Sequence, residues 1–321
     1  MYLQKSNRQK FKITNKQGTK TKALIALGVV SFFWGTTWIA SREGVKYMPA
    51  LQLAAIRQFI GGILYVIFFI SKGKSIPRGK EWSTVLMLTL LNFLLSNTLS
   101  TWGLRYISAG LGSIIGATFP LWLVIIVLLR SRTAISSKAM LGFFLGFAGI
   151  CVIFYEHLPD FFQSSFRIGI FLSVAASVSW AFGTLYTQKK SPAFNPYFSM
   201  GLQMVISGMI LYSLSASFGL NIPLNRIPAH SWYAILYLVL FSSILTFIAY
   251  VYALQHLPAS QVAIYAYINP IVAIIFESLL FGEKLSLYVG LGGLVTLIGV
   301  YLVNESFRTK APIKGSAYES Q

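Results

Sequence analysis

The sequence predicts an all-α polytopic membrane protein: ten transmembrane helices arranged as two inverted five-helix repeats around a central cavity. Three observations predict it. The chain has 321 residues, 55% of them hydrophobic and only 11% charged, against about 25% charged residues in a soluble domain. Such a chain cannot make a water-facing shell. Ten apolar stretches are each long enough for a span of roughly 17–25 residues. Finally, the chain repeats itself at a shift of 150 positions. Trp82 falls on Trp232, Ala109 on Ala259, Pro120 on Pro270, Ser136 on Ser286, Gly142 on Gly292 and Gly149 on Gly299.

The first unit, residues 23–156, is read as five spans. The span 23–41 carries Trp34 beside Gly35, Thr36 and Thr37. The span 50–71 follows Pro49 and contains Arg57. The spans 83–104 and 110–130 are joined by so few residues that they must be antiparallel neighbours, and Pro120 lies in the fourth. The span 138–155 presents Gly142, Gly146 and Gly149 as a packing face. Cys151, the only cysteine, lies in this apolar run and reads as a small buried thiol.

The second unit, residues 167–305, repeats the plan. The span 168–187 carries Trp180 with Ser177, Ser179, Gly183 and Thr184. Spans 196–217 and 232–253 follow. The span 261–281 holds Tyr265, Asn269, Pro270 and Glu277, and the Gly-rich span 287–304 closes the unit. Residues 1–22 are polar and Lys-rich without an apolar core, which reads as a basic tail rather than a signal peptide. Residues 306–321 read as a second tail.

Lysine and arginine orient the bundle. Nineteen of the 26 fall on the side of the N-terminus, in the tails and alternate loops, six fall on the other side, and Arg57 alone is read as lying inside a helix. This positive-inside bias predicts that both termini are cytoplasmic. The net charge of +18 is thus explained without nucleic acid, whose binders cluster basic residues on one folded face. Because each unit has five spans, an odd number, the second must enter the membrane from the opposite side. Inverted repeats of this kind support alternating access, with a site where the repeats meet.

Polar groups at membrane depth are costly, so each needs a reason. Arg57 reads as a clamp for an anionic group, or as a hydrogen-bond post at a helix break. Glu277 reads as a proton-binding carboxylate for coupling, as a snorkelling interfacial residue, or as a partner of Arg57. Pro120 and Pro270 occupy matching places and read as paired hinges or as static kinks. Trp34, Thr36, Thr37, Trp180, Thr184, Tyr265 and Asn269 join Arg57 as candidates for the cavity wall. The three histidines and the one aspartate, Asp160, fall in loops. With no metal-ligand spacing, no phosphate loop and no catalytic cluster, no enzyme, cofactor or metal is expected. The expected partners are the lipid bilayer and a small-molecule solute, the protein being a monomer or homodimer. A non-transporting scaffold or sensor is the rival reading.

Several segments together resemble the drug/metabolite transporter superfamily, EamA type: SFFWGTTWIASREG, Pro49 with Arg57, LRYISAGLGSIIGATFP, and LQHLPASQVAIYAYINPIVAIIFESLLFGEKLS. The likeness spans residues from about 22 to 305. It implies an inner (plasma) membrane carrier exporting amino acids, drug-like solutes or other small metabolites. Two departures stand out. Arg132 and Thr133 occupy the first-unit positions of Gly282 and Glu283, and Glu277 stands where the resemblance implies a small or apolar residue.

Overall fold

The computed structural model describes residues 16–130, 136–156, 159–189, 195–257, 262, 265–282 and 286–310. Most of the predicted tails, residues 1–15 and 311–321, lie outside the described residues. Helix α1 spans Lys16–Tyr47, α2 Ala50–Ser71 and α3 Glu81–Gly103. Helix α4 comes in two segments, Ala109–Ala117 and Phe119–Arg130, and α5 spans Ser137–Glu156. The second unit supplies α6 (Ser164–Lys189), α7 (Pro196–Ser217), and α8, made of Ala229–Tyr237, Leu238–Thr246 and Phe247–His256. It ends with α9 (Tyr265–Phe281) and α10 (Leu287–Lys310). Six of these are long and apolar enough to cross a membrane; the apolar parts of α4, α5, α9 and α10 are shorter.

Three boundaries differ from the sequence reading. Helix α1 starts inside the basic tail at Lys16 and runs beyond the predicted end of the first span at residue 41, through Arg42 and Lys46. No glycine or proline breaks residues 45–48, so the helix continues until Pro49 imposes extended geometry on the chain before α2. At the other end α10 continues to Lys310, into the predicted second tail. Cys151 is exposed on the outer face of α5, not buried.

The two units pack as a pseudo-two-fold pair. Helix α1 packs on α8 and α9, and its counterpart α6 packs on α3 and α4. The remaining pairs, α2 with α7 and α5 with α10, are their own counterparts across the axis. The α5–α10 seam shows the symmetry atom by atom. A methyl on Gly142 would stand 2.6 Å from the carbonyl oxygen of Gly299, and one on Gly292 would stand 2.6 Å from that of Gly149. The order of these contacts makes the helices antiparallel, as an inverted repeat requires. Small residues let the backbones touch where lipid offers no hydrophobic driving force. Matching serines cap the matching helices: Ser136 Oγ accepts from Ala139 N and Ser286 Oγ from Val289 N. The lipid-facing exterior is apolar, with Phe144, Phe171 and Leu279 well exposed.

Helices α3 and α8 share a second matched feature. Each carries a nine-residue π-helical stretch, Thr89–Asn97 and Leu238–Thr246. A threonine hydroxyl closes each on the carbonyl five residues back, Thr98 on Phe93 (2.8 Å) and Thr246 on Phe241 (2.5 Å). Side chains from neighbouring helices reach the widened turns. Ser179 Oγ donates to the Leu91 carbonyl, and the Tyr65 hydroxyl lies within bonding distance of the carbonyls of Ser243 and Ile244. Such stretches re-aim side chains and are frequent at functional sites.

The paired prolines do not behave alike. Helix α4 is interrupted at Thr118, and Pro120 is the second residue of its new segment. Pro270 lies inside an unbroken α9. A proline is tolerated in the first turn of a helix because its missing N–H has no partner there anyway.

Candidate functional site

A cavity of about 170 Å³ lies between the repeats, lined from α1, α2, α3, α4, α6, α8 and α9. This is smaller than the roughly 300–1,000 Å³ of drug-sized sites. The π stretch of α3 dominates one wall with Asn92, Ser96 and Asn97, followed by Ser100 and Thr101. Helix α1 contributes Trp34, Thr37, Trp38 and Ser41, and α6 contributes Ser173, Ser177 and Trp180. Phe119, Phe247, Tyr265 and Asn269 complete the aromatic and polar wall on the remaining sides.

The chamber is closed toward the end of the bundle where α1 begins. Trp34 packs against Trp180, Phe247, Tyr250 and Tyr265, with ring centroids 6.4, 5.3, 5.0 and 5.0 Å away. Beyond this aromatic layer, Leu27, Val30, Ala249, Ala253 and Leu257 fill the interior. In the opposite direction the lining climbs α1 from Trp34 to Ser41, roughly 10 Å at 1.5 Å per residue. There Leu104 borders both the chamber and a polar recess formed by Arg42, Lys46, Arg105, Ser108, Asp160 and Gln163, among others.

Arg57 is the charge in the chamber wall. It is buried, and its Nη2 donates to Asn97 Oδ1. Gln58 Nε2 donates to the same oxygen at 3.2 Å, and Ser207 holds the Gln58 carbonyl oxygen in turn. The chain Ser207–Gln58–Asn97 thus positions the guanidinium from α7 through α2 to α3. Arg57 Nε has no hydrogen-bond partner. Among the described residues no carboxylate pairs with Arg57. A buried charge is normally paired, and a cation held by an amide alone retains capacity for an anion.

Glu277 is placed elsewhere, and its partner is Arg42 rather than Arg57. Arg42 Nη1 donates to Oε1 at 2.5 Å. Ala109 N donates to Oε1 at 2.7 Å and Gly110 N to Oε2 at 2.6 Å. Ser108 completes the end of α4, its Oγ accepting from Leu111 N and its carbonyl from Gly112 N. The amides of Ala109, Gly110 and Leu111, which the first turn leaves without intrahelical partners, are all accounted for. The carboxylate also sits at the positive end of the helix dipole. Gly110 makes this approach feasible, since a Cβ there would stand 2.9 Å from Glu277 Oε2.

Of the residues proposed from sequence for the cavity, Trp34, Thr37, Arg57, Trp180, Tyr265 and Asn269 meet in the chamber. Asn269, oriented with its amide nitrogen toward Ser31 O (2.8 Å) and Tyr265 O (3.0 Å), bridges α1 and α9. Thr36 turns away to the Tyr237 hydroxyl at 2.6 Å, and Thr184 bonds the Trp180 carbonyl at 2.8 Å; neither lines the chamber. Pro120 and Pro270 are absent from the lining, although their neighbours Phe119 and Asn269 are in it. Sequence reasoning missed Gln58, Asn92, Asn97 and Ser207. The signal was present: LNFLLSNTLST places two carboxamides and several hydroxyls at membrane depth, where each is expensive.

The EamA-like transporter family model matches the chain twice, at residues 21–155 and 167–305. The uncharacterized transporter YvbV of Bacillus subtilis is 29% identical over 293 residues, covering 90% of this chain and 93% of that protein. The uncharacterized inner membrane transporter YedA of Escherichia coli K12 is 29% identical over 269 residues, covering 82% and 83%. A WAT1-related chloroplastic protein of Arabidopsis thaliana is 27% identical over 282 residues, covering 85% and 67%. One solved crystal structure superposes with a TM-score of 0.66 at 14% identity, covering 91% of this chain and 99% of its own. That last likeness concerns the fold alone.

Proposed function

Because the chain belongs to the EamA-like transporter family and is a multi-pass membrane protein, we propose that it moves a small metabolite bearing a carboxylate across the inner membrane by alternating access. The observation that carries the substrate feature is Arg57, a buried cation in the chamber wall whose described partner is an amide oxygen. Inverted repeats supply two mirror-related openings. In the conformation described here the chamber is sealed by the Trp34 aromatic layer and lies toward the polar recess. The direction we propose is export, with both termini cytoplasmic, from the distribution of Lys and Arg and the family resemblance. A scaffold would leave the chamber and its guanidinium without a role, and a sensor would bind the solute without moving it.

Reconstitution in liposomes with a panel of labelled small acids is the test. Flux of at least one acid, abolished in Arg57→Met, is the expected result; no flux from folded protein defeats the reading. For proton coupling, Glu277 is the one buried carboxylate among the described residues. A cycle running through it would have to release Arg42 and the end of α4 in each turnover. Flux with and without a pH gradient in Glu277→Gln decides: retained coupling removes Glu277 from that role.

A further inference from the structure

We infer that the chamber selects a small carboxylic acid with no accompanying ammonium, a net monoanion rather than a zwitterionic amino acid. The inference rests on the carboxylate reading of Arg57 and narrows it.

The argument is one of charge balance. The described lining of the chamber contains one cation, Arg57, and no aspartate or glutamate. The buried carboxylate of the bundle, Glu277, is committed to Arg42 and to two amides of α4. A monocarboxylate entering the chamber neutralises Arg57. A zwitterion brings its own cation with it and leaves the chamber with a net positive charge. An uncompensated charge in a low-dielectric interior is costly. The aromatic faces of Trp34 and Trp180 offer only weak compensation, while they suit an apolar body well. The hydroxyls nearby are also partly committed: Ser113 donates to the Gly110 carbonyl and Thr37 to that of Phe33.

The probes are two matched sets: 3-phenylpropionate, phenylalanine and phenethylamine, and 4-methylpentanoate, leucine and 3-methylbutylamine. Each is titrated into the purified full-length protein while thermal stability is followed, since a ligand of the native state stabilises by mass action. The expected result is that at least one acid binds about tenfold or more tightly than its matched amino acid. Equal or tighter binding of the amino acids overturns the inference and leaves the carboxylate reading standing. Stabilisation by an amine alone, or by no member of either set, removes both. Asn92→Asp, isosteric and on the chamber wall, supplies the missing carboxylate and is expected to shift preference toward the amino acid. Ser177→Asp places the same charge from α6 should the first variant not fold. A folded variant with the wild-type preference overturns charge balance as the selector.

Discussion

Arg57 and Glu277 are the buried charges the repeat does not duplicate, and the structure treats them in opposite ways. Glu277 is surrounded by donors: a guanidinium and two amides of a helix end meet its two oxygens. Arg57 is held by one carboxamide oxygen, keeps an unpartnered Nε, and borders a cavity. A satisfied buried charge fixes a junction, here among α1, α4 and α9. An under-satisfied one next to open space is a place for a ligand. Their positions in sequence give no hint of this division, because both are lone ionisable residues in apolar helices.

The comparison can be broken in a graded way. Arg57→Met should have the largest effect on solute binding, about 2–5 kcal/mol, or roughly 30-fold to several thousandfold in affinity. Its unfolding temperature should change little or rise, because a buried cation is replaced by a packed apolar chain. A matched fall in stability would make Arg57 structural. Glu277→Ala should show the reverse, losing about 3 kcal/mol of stability as Arg42 and the α4 amides are stranded. Thermal unfolding measures this, and a loss of binding without loss of stability would contradict the junction role. Asn97→Ala should weaken solute binding by about 1.5–3 kcal/mol, the range for a hydrogen bond to a charged group, by releasing the guanidinium from Gln58 and Ser207. Titration of a transported acid reads it. Thr184→Ala should be the mildest, within about 0.5 kcal/mol in stability and without effect on flux, since its hydroxyl serves only the Trp180 carbonyl.

The π stretches show where sequence reasoning stops. Thr98 and Thr246 stand five residues after Phe93 and Phe241, a spacing visible in sequence once the geometry is known. Nothing in hydropathy distinguishes such a turn from ordinary helix. Yet this widening belongs to the α3 segment that brings Asn92, Ser96 and Asn97 to the chamber. The prolines teach the same lesson from the other side: matched in sequence at 120 and 270, they sit at the start of a helix segment in one unit and within a continuous helix in the other.

The sequence by itself determined the class and its symmetry. Apolar runs count the helices, their odd number per unit inverts the repeat, and the cost of polar atoms in lipid marks Arg57, Glu277, Trp34 and Trp180 for attention. These are properties of one chain segment in one solvent, so they survive without knowledge of neighbours. What only the tertiary structure decided was pairing across helices. Glu277 was within conceivable reach of Arg57 by depth, but helix adjacency placed it against Arg42 and the end of α4. Thr36 and Thr37 are adjacent in sequence, and rotation about the helix axis sends one to Tyr237 and the other to the chamber. Whether a buried charge is satisfied or waiting depends on who stands beside it, and that is set by packing, not by order along the chain.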